Sequence, residues 1–152
     1  MSGTRPKIGD IVEVPTSGGL GYVQFTFRDP QMGALVRVLP GLFAERPNEL
    51  QALAEKRETY FVYIPLGPAV ARGLMRIVEH GRVPPGADRP RRMKSKRQLA
   101  PGVVSWLILE EGGERSTREL APDERGLSPY AIWNDTLLAE RMVSGWLPED
   151  EV

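Results

Sequence analysis

Cysteine is absent from the 152 residues, which removes disulfides, thiolate nucleophiles and cysteine-based zinc sites together and suits a reducing compartment. Histidine occurs once, at His80, so any metal site would be built mainly from carboxylates, which suit magnesium or calcium better than zinc. Nothing resembles a calcium loop or an HExxH helix, and no metal or other cofactor is expected. The serines sit in no nucleophile-elbow pattern, and a serine–histidine pair would have to recruit His80 from far along the chain. Nowhere do about 18 apolar residues run together. The start Met-Ser-Gly-Thr-Arg-Pro-Lys has no apolar core of the kind a secretory signal needs, so a cytoplasmic location without membrane contact is expected.

What is present is ordinary for a globular protein: 41% hydrophobic and 26% charged residues. The length predicts one domain over 1–152, and at this size a fold buries roughly two-thirds of the surface of its unfolded chain. Net charge is zero but unevenly placed. Residues 1–102 hold 16 Lys/Arg against 9 Asp/Glu, and residues 103–152 hold 4 against 11. The halves can balance one another within the fold, or show a basic and an acidic face to different partners.

The first third reads as β-structure. Asp10 to Pro15, Gly21 to Phe27 and Gly33 to Gly41 are short β-branched or aromatic runs separated by glycine, proline and aspartate. The stretch Ser17-Gly18-Gly19-Leu20-Gly21 has the glycine density of a phosphate-cradling loop. Such a loop hands over to a helix whose N-terminal amides face the anion. Here it hands over to Tyr-Val-Gln-Phe-Thr-Phe, a strand, so a hairpin turn is predicted. A short amphipathic helix carrying Leu50, Leu53 and Ala54 follows. Thr59 to Leu66 and Leu74 to Glu79 read as strands, with a helical turn or loop between them, and Phe61, Val62, Ile64, Ile77 and Val78 are the expected core. Gly102 to Leu120 reads as a hairpin. The last helix, capped by Asn134 or Asp135, places Leu138, Met142 and Trp146 four apart. The expected fold is α+β: a curled, mainly antiparallel sheet with a small-barrel-like N-terminal meander and two or three short helices, one of them C-terminal.

Residues 81–102 contain four prolines and three glycines, with six positive charges between residues 89 and 97: Arg89, Arg91, Arg92, Lys94, Lys96 and Arg97. This segment is predicted to be a long basic surface loop lying over the acidic C-terminal half. It has no aromatic residue to stack a base, so nucleic-acid association is the lesser reading. The carboxylate pairs, Asp10 with Glu13 among them, are expected in solvated turns and termini. Tyr22, Gln24 and Arg37 on the N-terminal strands, and Trp133, Asn134 and Asp135 at the last helix, are the candidates for display to a partner. The competing reading of the last three is structural: a cap, with Trp133 stapling the helix to the sheet.

Lys-Ile-Gly-Asp-Ile-Val-Glu-Val-Pro-Thr-Ser-Gly-Gly-Leu-Gly-Tyr-Val-Gln-Phe-Thr (7–26), Gly33 to Leu50, Phe61 to Val70 and Ile132 to Asp150 together resemble the bacterial immunity protein 26 family, over most of residues 7–150 and least across Pro84 to Pro101. Members begin with a lysine-containing Gly-Asp-Ile/Val strand, and those nearest this chain end with a Trp-Asn-Asp-Thr-Leu-Leu helix. The resemblance implies a small α+β protein that binds and blocks a cognate bacterial toxin of the polymorphic kind, without catalysis. An acidic surface would suit a basic toxin such as a nuclease. The same family label has been attached to a small phosphotriesterase, a reaction that generally needs a metal-activated water. The oligomeric state is not implied.

Overall fold

The computed structural model describes residues 5–151. Nine strands and three helices follow in the order β1 (Asp10–Thr16), β2 (Gly19–Asp29), β3 (Gly33–Val38), α1 (Leu50–Ala54), β4 (Tyr60–Ile64), α2 (Leu66–Ala71), β5 (Arg76–His80), β6 (Met93–Ala100), β7 (Val103–Glu110), β8 (Gly113–Thr117), β9 (Ser128–Pro129) and α3 (Asp135–Ser144). A five-stranded antiparallel sheet has the order β4-β3-β2-β1-β5, and a four-stranded sheet the order β8-β7-β6-β9, with only β9 running parallel to its neighbour. The α+β architecture is the one expected. The meander stays open, with β4 and β5 at opposite edges rather than closing a barrel.

The glycine-rich stretch is a hairpin turn. Thr16 pairs with Gly19 across it, and Gly19 adopts φ +126°, a region that disfavours side chains. Gly21 is needed for a different reason: a Cβ there would meet Met142 Sδ of α3 at 2.7 Å. The glycines therefore let α3 sit close on β2.

The five-stranded sheet is covered on both faces, which the alternation of its strands conceals. Val12, Val14, Val23, Phe25, Val36, Val62 and Ile64 point to one side, where α2 and α3 add Leu66, Ala69 and Leu138 and the approach to α3 adds Trp133. On the other side, Ile11, Tyr22 and Leu39 pack under Leu50, Leu53 and Ala54 of α1. Further along that side, Leu35, Phe61 and Tyr63 meet Met93 of the second sheet. Each fully buried aliphatic or phenylalanine side chain contributes about 1.5–3 kcal/mol. Ile77 and Val78 of the expected core are only half-buried, because β5 is an edge strand.

The segment 81–102 departs from the expected loop. Residues 93–100 form β6, zipped antiparallel to β7 from Met93↔Leu109 to Ala100↔Val103. The strand is hydrophilic because its neighbour β7 supplies the apolar residues and its backbone supplies the ladder. No described helix is long and apolar enough to cross a membrane.

Candidate functional site

Three of the residues expected to face a partner are structural. Tyr22, Gln24 and Arg37 are 0%, 0% and 1% exposed, because α1 lies across the strand face that alternation assigned to solvent. Register places Gln24 opposite Arg37 and Glu13 opposite Tyr22, so a polar stripe crosses the covered face. Arg37 donates from Nη1 to Gln24 Oε1 (2.8 Å) and the Ala54 carbonyl (2.7 Å), from Nη2 to the Lys56 carbonyl (2.6 Å), and from Nε to Glu58 Oε1 (2.9 Å). Its guanidinium thus satisfies carbonyls at the end of α1 and fixes that helix to the sheet. Gln24 continues the network by donating to the carbonyls of Gly9 and Arg82, both at 3.1 Å.

Asp10 and Glu13, expected in solvated positions, are buried strand residues. Glu13 accepts from the Tyr22 hydroxyl (2.8 Å) and from Arg46 at both oxygens (2.7 and 3.1 Å). The Arg46 bond holds its carboxyl below the usual carboxylate range, while burial pushes the Tyr22 phenol up to about 12. Asp10 Oδ1 lies 2.8 Å from His80 Nδ1. The cleft beside this pair, in which His80 is exposed and Asp10 buried, is lined by Lys7, Asp10, Ile77, Val78, Glu79 and His80, a set without a hydroxyl or thiol nucleophile.

Trp133 is also buried, in an aromatic cluster with Tyr60 and Trp146. Arg141 lies over both indoles, 4.5 and 4.4 Å from their ring centres. Asn134 is exposed and caps α3 by accepting from Leu137 N (2.8 Å), and half-buried Asp135 is the helix's first residue. The staple-and-cap reading of this motif therefore describes its geometry.

The six basic residues do not form one stripe. Lys94 is fully buried, donating to the carbonyls of Arg125 (2.6 Å) and Pro148 (2.7 Å), and burial pushes its pKa below the ordinary lysine value. Arg92 pairs with Asp123 (3.1 Å), so this part of the segment does meet the acidic half. Lys96 and Arg97 are exposed on β6. Arg89 and Arg91 instead belong to a strap over residues 86–91 that separates two clefts. One, on the Arg57 and Arg92 side, is mainly basic.

The other is the candidate site, a cleft of about 370 Å³ between the two sheets. Phe27 from β2, Tyr63 from β4 and Tyr130 from just beyond β9 line it, with Met93 and Leu109 from the second sheet. The Tyr63 and Tyr130 rings meet edge-on at 5.7 Å, and the Arg89 guanidinium stacks 4.6 Å from the Phe27 ring centre. Asp29, Asp88, Glu110 and Glu111 complete the rim together with Arg89 and Arg91. Asp29 is positioned by the β2–β3 turn, where its Oδ1 accepts from Gln31 N (2.8 Å) and Met32 N (3.0 Å). Burial, and next the Asp29 charge, push the Tyr63 phenol up to about 12. Burial, then Asp29 and Glu114, raise Tyr130. Both phenols stay neutral near pH 7 and can donate or accept a hydrogen bond.

Sequence reading did not find Phe27, Asp29, Tyr63 or Tyr130. Their positions span more than a hundred residues and converge only through the pairing of β6 with β9 and of β4 with β3. The available signal was the alternation of β4, which sets Phe61 and Tyr63 against Val62 and Ile64. Among the described residues, no group of three or more histidines, aspartates or glutamates could hold a metal ion. Comparison with protein-family models, curated proteins and solved structures gives no match to this chain.

Proposed function

We propose that the chain is a non-catalytic binding protein of the bacterial immunity type, which neutralises a basic protein toxin, of which a nuclease is one kind, by occupying it. The observation that carries this reading is the inter-sheet cleft, where three aromatic rings and a methionine lie beneath an uneven ring of charge. Tyrosine, phenylalanine, methionine and arginine are enriched at protein interfaces, the aromatic rings because they bury large areas at small cost in side-chain freedom. The acidic excess of residues 103–152 supports a basic partner: Glu110, Glu111 and Glu114 stand exposed at the β7–β8 hairpin beside this cleft. Opposite charges across such a surface speed encounter and select the partner.

The test is co-expression with the product of the gene immediately upstream, where a polymorphic toxin would lie. A complex that survives purification and weakens as salt rises is the expected result. No complex, or one with a strongly acidic partner that is indifferent to salt, refutes the reading. His80→Ala tests the hydrolase alternative: binding should be unchanged, and no phosphotriester turnover should depend on this residue.

A further inference from the structure

Tyr63 is only 4% exposed, yet its hydroxyl has no hydrogen-bond partner among the described residues, and the side chain lines the inter-sheet cleft. A phenol so placed offers its oxygen to a donor arriving from the cleft. Three further features describe that donor. Phe27 already holds a guanidinium, that of Arg89, so the aromatic floor accepts a stacked cation. Asp29 uses Oδ1 for the turn, and its Oδ2 is unengaged among the described residues. Glu111 is exposed and has no ion pair among them either. Carboxylates and π-faces together recognise a positive charge.

We propose that the cleft seats an arginine or lysine side chain of the partner protein. Its charge lies between Asp29 and Glu111, its stem lies against Tyr130, and one N–H is donated to the Tyr63 hydroxyl. This rests on the binding-protein reading and names the chemistry the partner must carry. Arg89, stacked on Phe27, already places a positive charge in the cleft and repels a second one. Its loss should therefore strengthen binding of a cation, whereas an anion site would be weakened by it.

Hexa-arginine and hexa-glutamate peptides, titrated separately into the full chain and followed by backbone amide NMR, separate these outcomes. Hexa-arginine should shift the signals of Tyr63, Tyr130 and Glu110 to Gly113. The double variant Asp29→Asn/Glu111→Gln should bind it about tenfold more weakly, because two charge pairs are lost. Asn retains the turn-forming oxygen, so this variant keeps the local fold. Arg89→Ala should bind several-fold more tightly. The proposal is overturned if the double variant binds hexa-arginine as the parent does, if the shifts fall outside the cleft, or if Arg89→Ala weakens binding while hexa-glutamate occupies the site. If the cleft binds hexa-arginine as described but the neighbouring gene's product forms no complex, the immunity reading fails and the cation seat stands. If the complex forms and the double variant leaves it unchanged, the seat fails and the immunity reading stands.

Discussion

Arg37→Met removes a guanidinium and keeps most of the stem that packs beneath α1. The parent side chain is 1% exposed and serves four acceptors: Glu58, Gln24 and the carbonyls of Ala54 and Lys56. Removing one partner of a buried ion pair costs about 3–5 kcal/mol, because the other charge is left uncompensated. Glu58 is 17% exposed and regains some hydration, whereas the Ala54 carbonyl and Gln24 Oε1 lie deeper and lose about 1–3 kcal/mol each if water does not reach them. A net loss of about 4 kcal/mol is expected, a large part of a typical total of about 5–15 kcal/mol. Urea unfolding followed by tryptophan fluorescence should show a much lower midpoint with a similar slope, since the surface exposed on unfolding hardly changes. Adding Glu58→Gln should recover about 1 kcal/mol or more by removing the stranded charge. A loss below about 1 kcal/mol for the single variant, or no recovery in the double, refutes the account of Arg37 as the clamp of α1. Whatever fraction remains folded should bind the partner as before, because Arg37 does not reach the surface.

Burial holds Tyr22, Tyr60 and Tyr63 at about 12 and raises Tyr130, against an ordinary phenol value of 10.0. A raised folded-state value favours the neutral phenol, so this stabilisation is complete below pH 10 and is lost as pH rises from 10 towards 12. Tyrosinate absorbance should therefore appear together with loss of tertiary circular dichroism; a tyrosine titrating near 10 in a protein still folded contradicts the burial argument. Gly21→Val sets a side chain against Met142, whose sulfur would lie 2.7 Å from the new Cβ. Overpacking of this kind costs about 1–3 kcal/mol, softened here by the flexibility of methionine, and an unchanged Tm would disprove the close seat of α3 on β2.

The strands of the first sheet, the C-terminal helix and its cap were legible because each is specified locally. Asn134 caps whatever helix follows it, and glycine permits the β1–β2 turn whatever lies above. The faces of the strands were not legible in the same way. Alternation in Tyr22-Val23-Gln24-Phe25 separates two sides but does not say whether the polar side meets water or a helix, and α1 comes from residues more than twenty positions further on. The polar residues of that side survive burial because they satisfy one another, so hydrogen-bond capacity and solvent exposure look the same in sequence. β6 was hidden for the opposite reason: Met93 to Ala100 has few apolar residues, and its place as a strand comes from the backbone ladder to β7. The cleft residues failed on distance alone, since no window of sequence holds both Phe27 and Tyr130.

The charge imbalance between the two halves resolves along this same junction. Arg92 joins the basic half to the acidic one through Asp123 and Glu124, and Lys94 is consumed by buried carbonyls. Internal pairing therefore takes up part of each excess and leaves the remainder sorted in space. Arg57 and Arg92 border the cleft on one side of the strap, Asp29, Glu111 and Tyr63 border the cleft on the other, and Arg89 and Arg91 reach both. Arg89, stacked on Phe27, is the one basic side chain of the strap seen on an aromatic ring of the acidic cleft. A partner cation would share the cleft with this arginine, and for that reason the sign of the Arg89→Ala effect, rather than its size, decides between a site for cations and a site for anions.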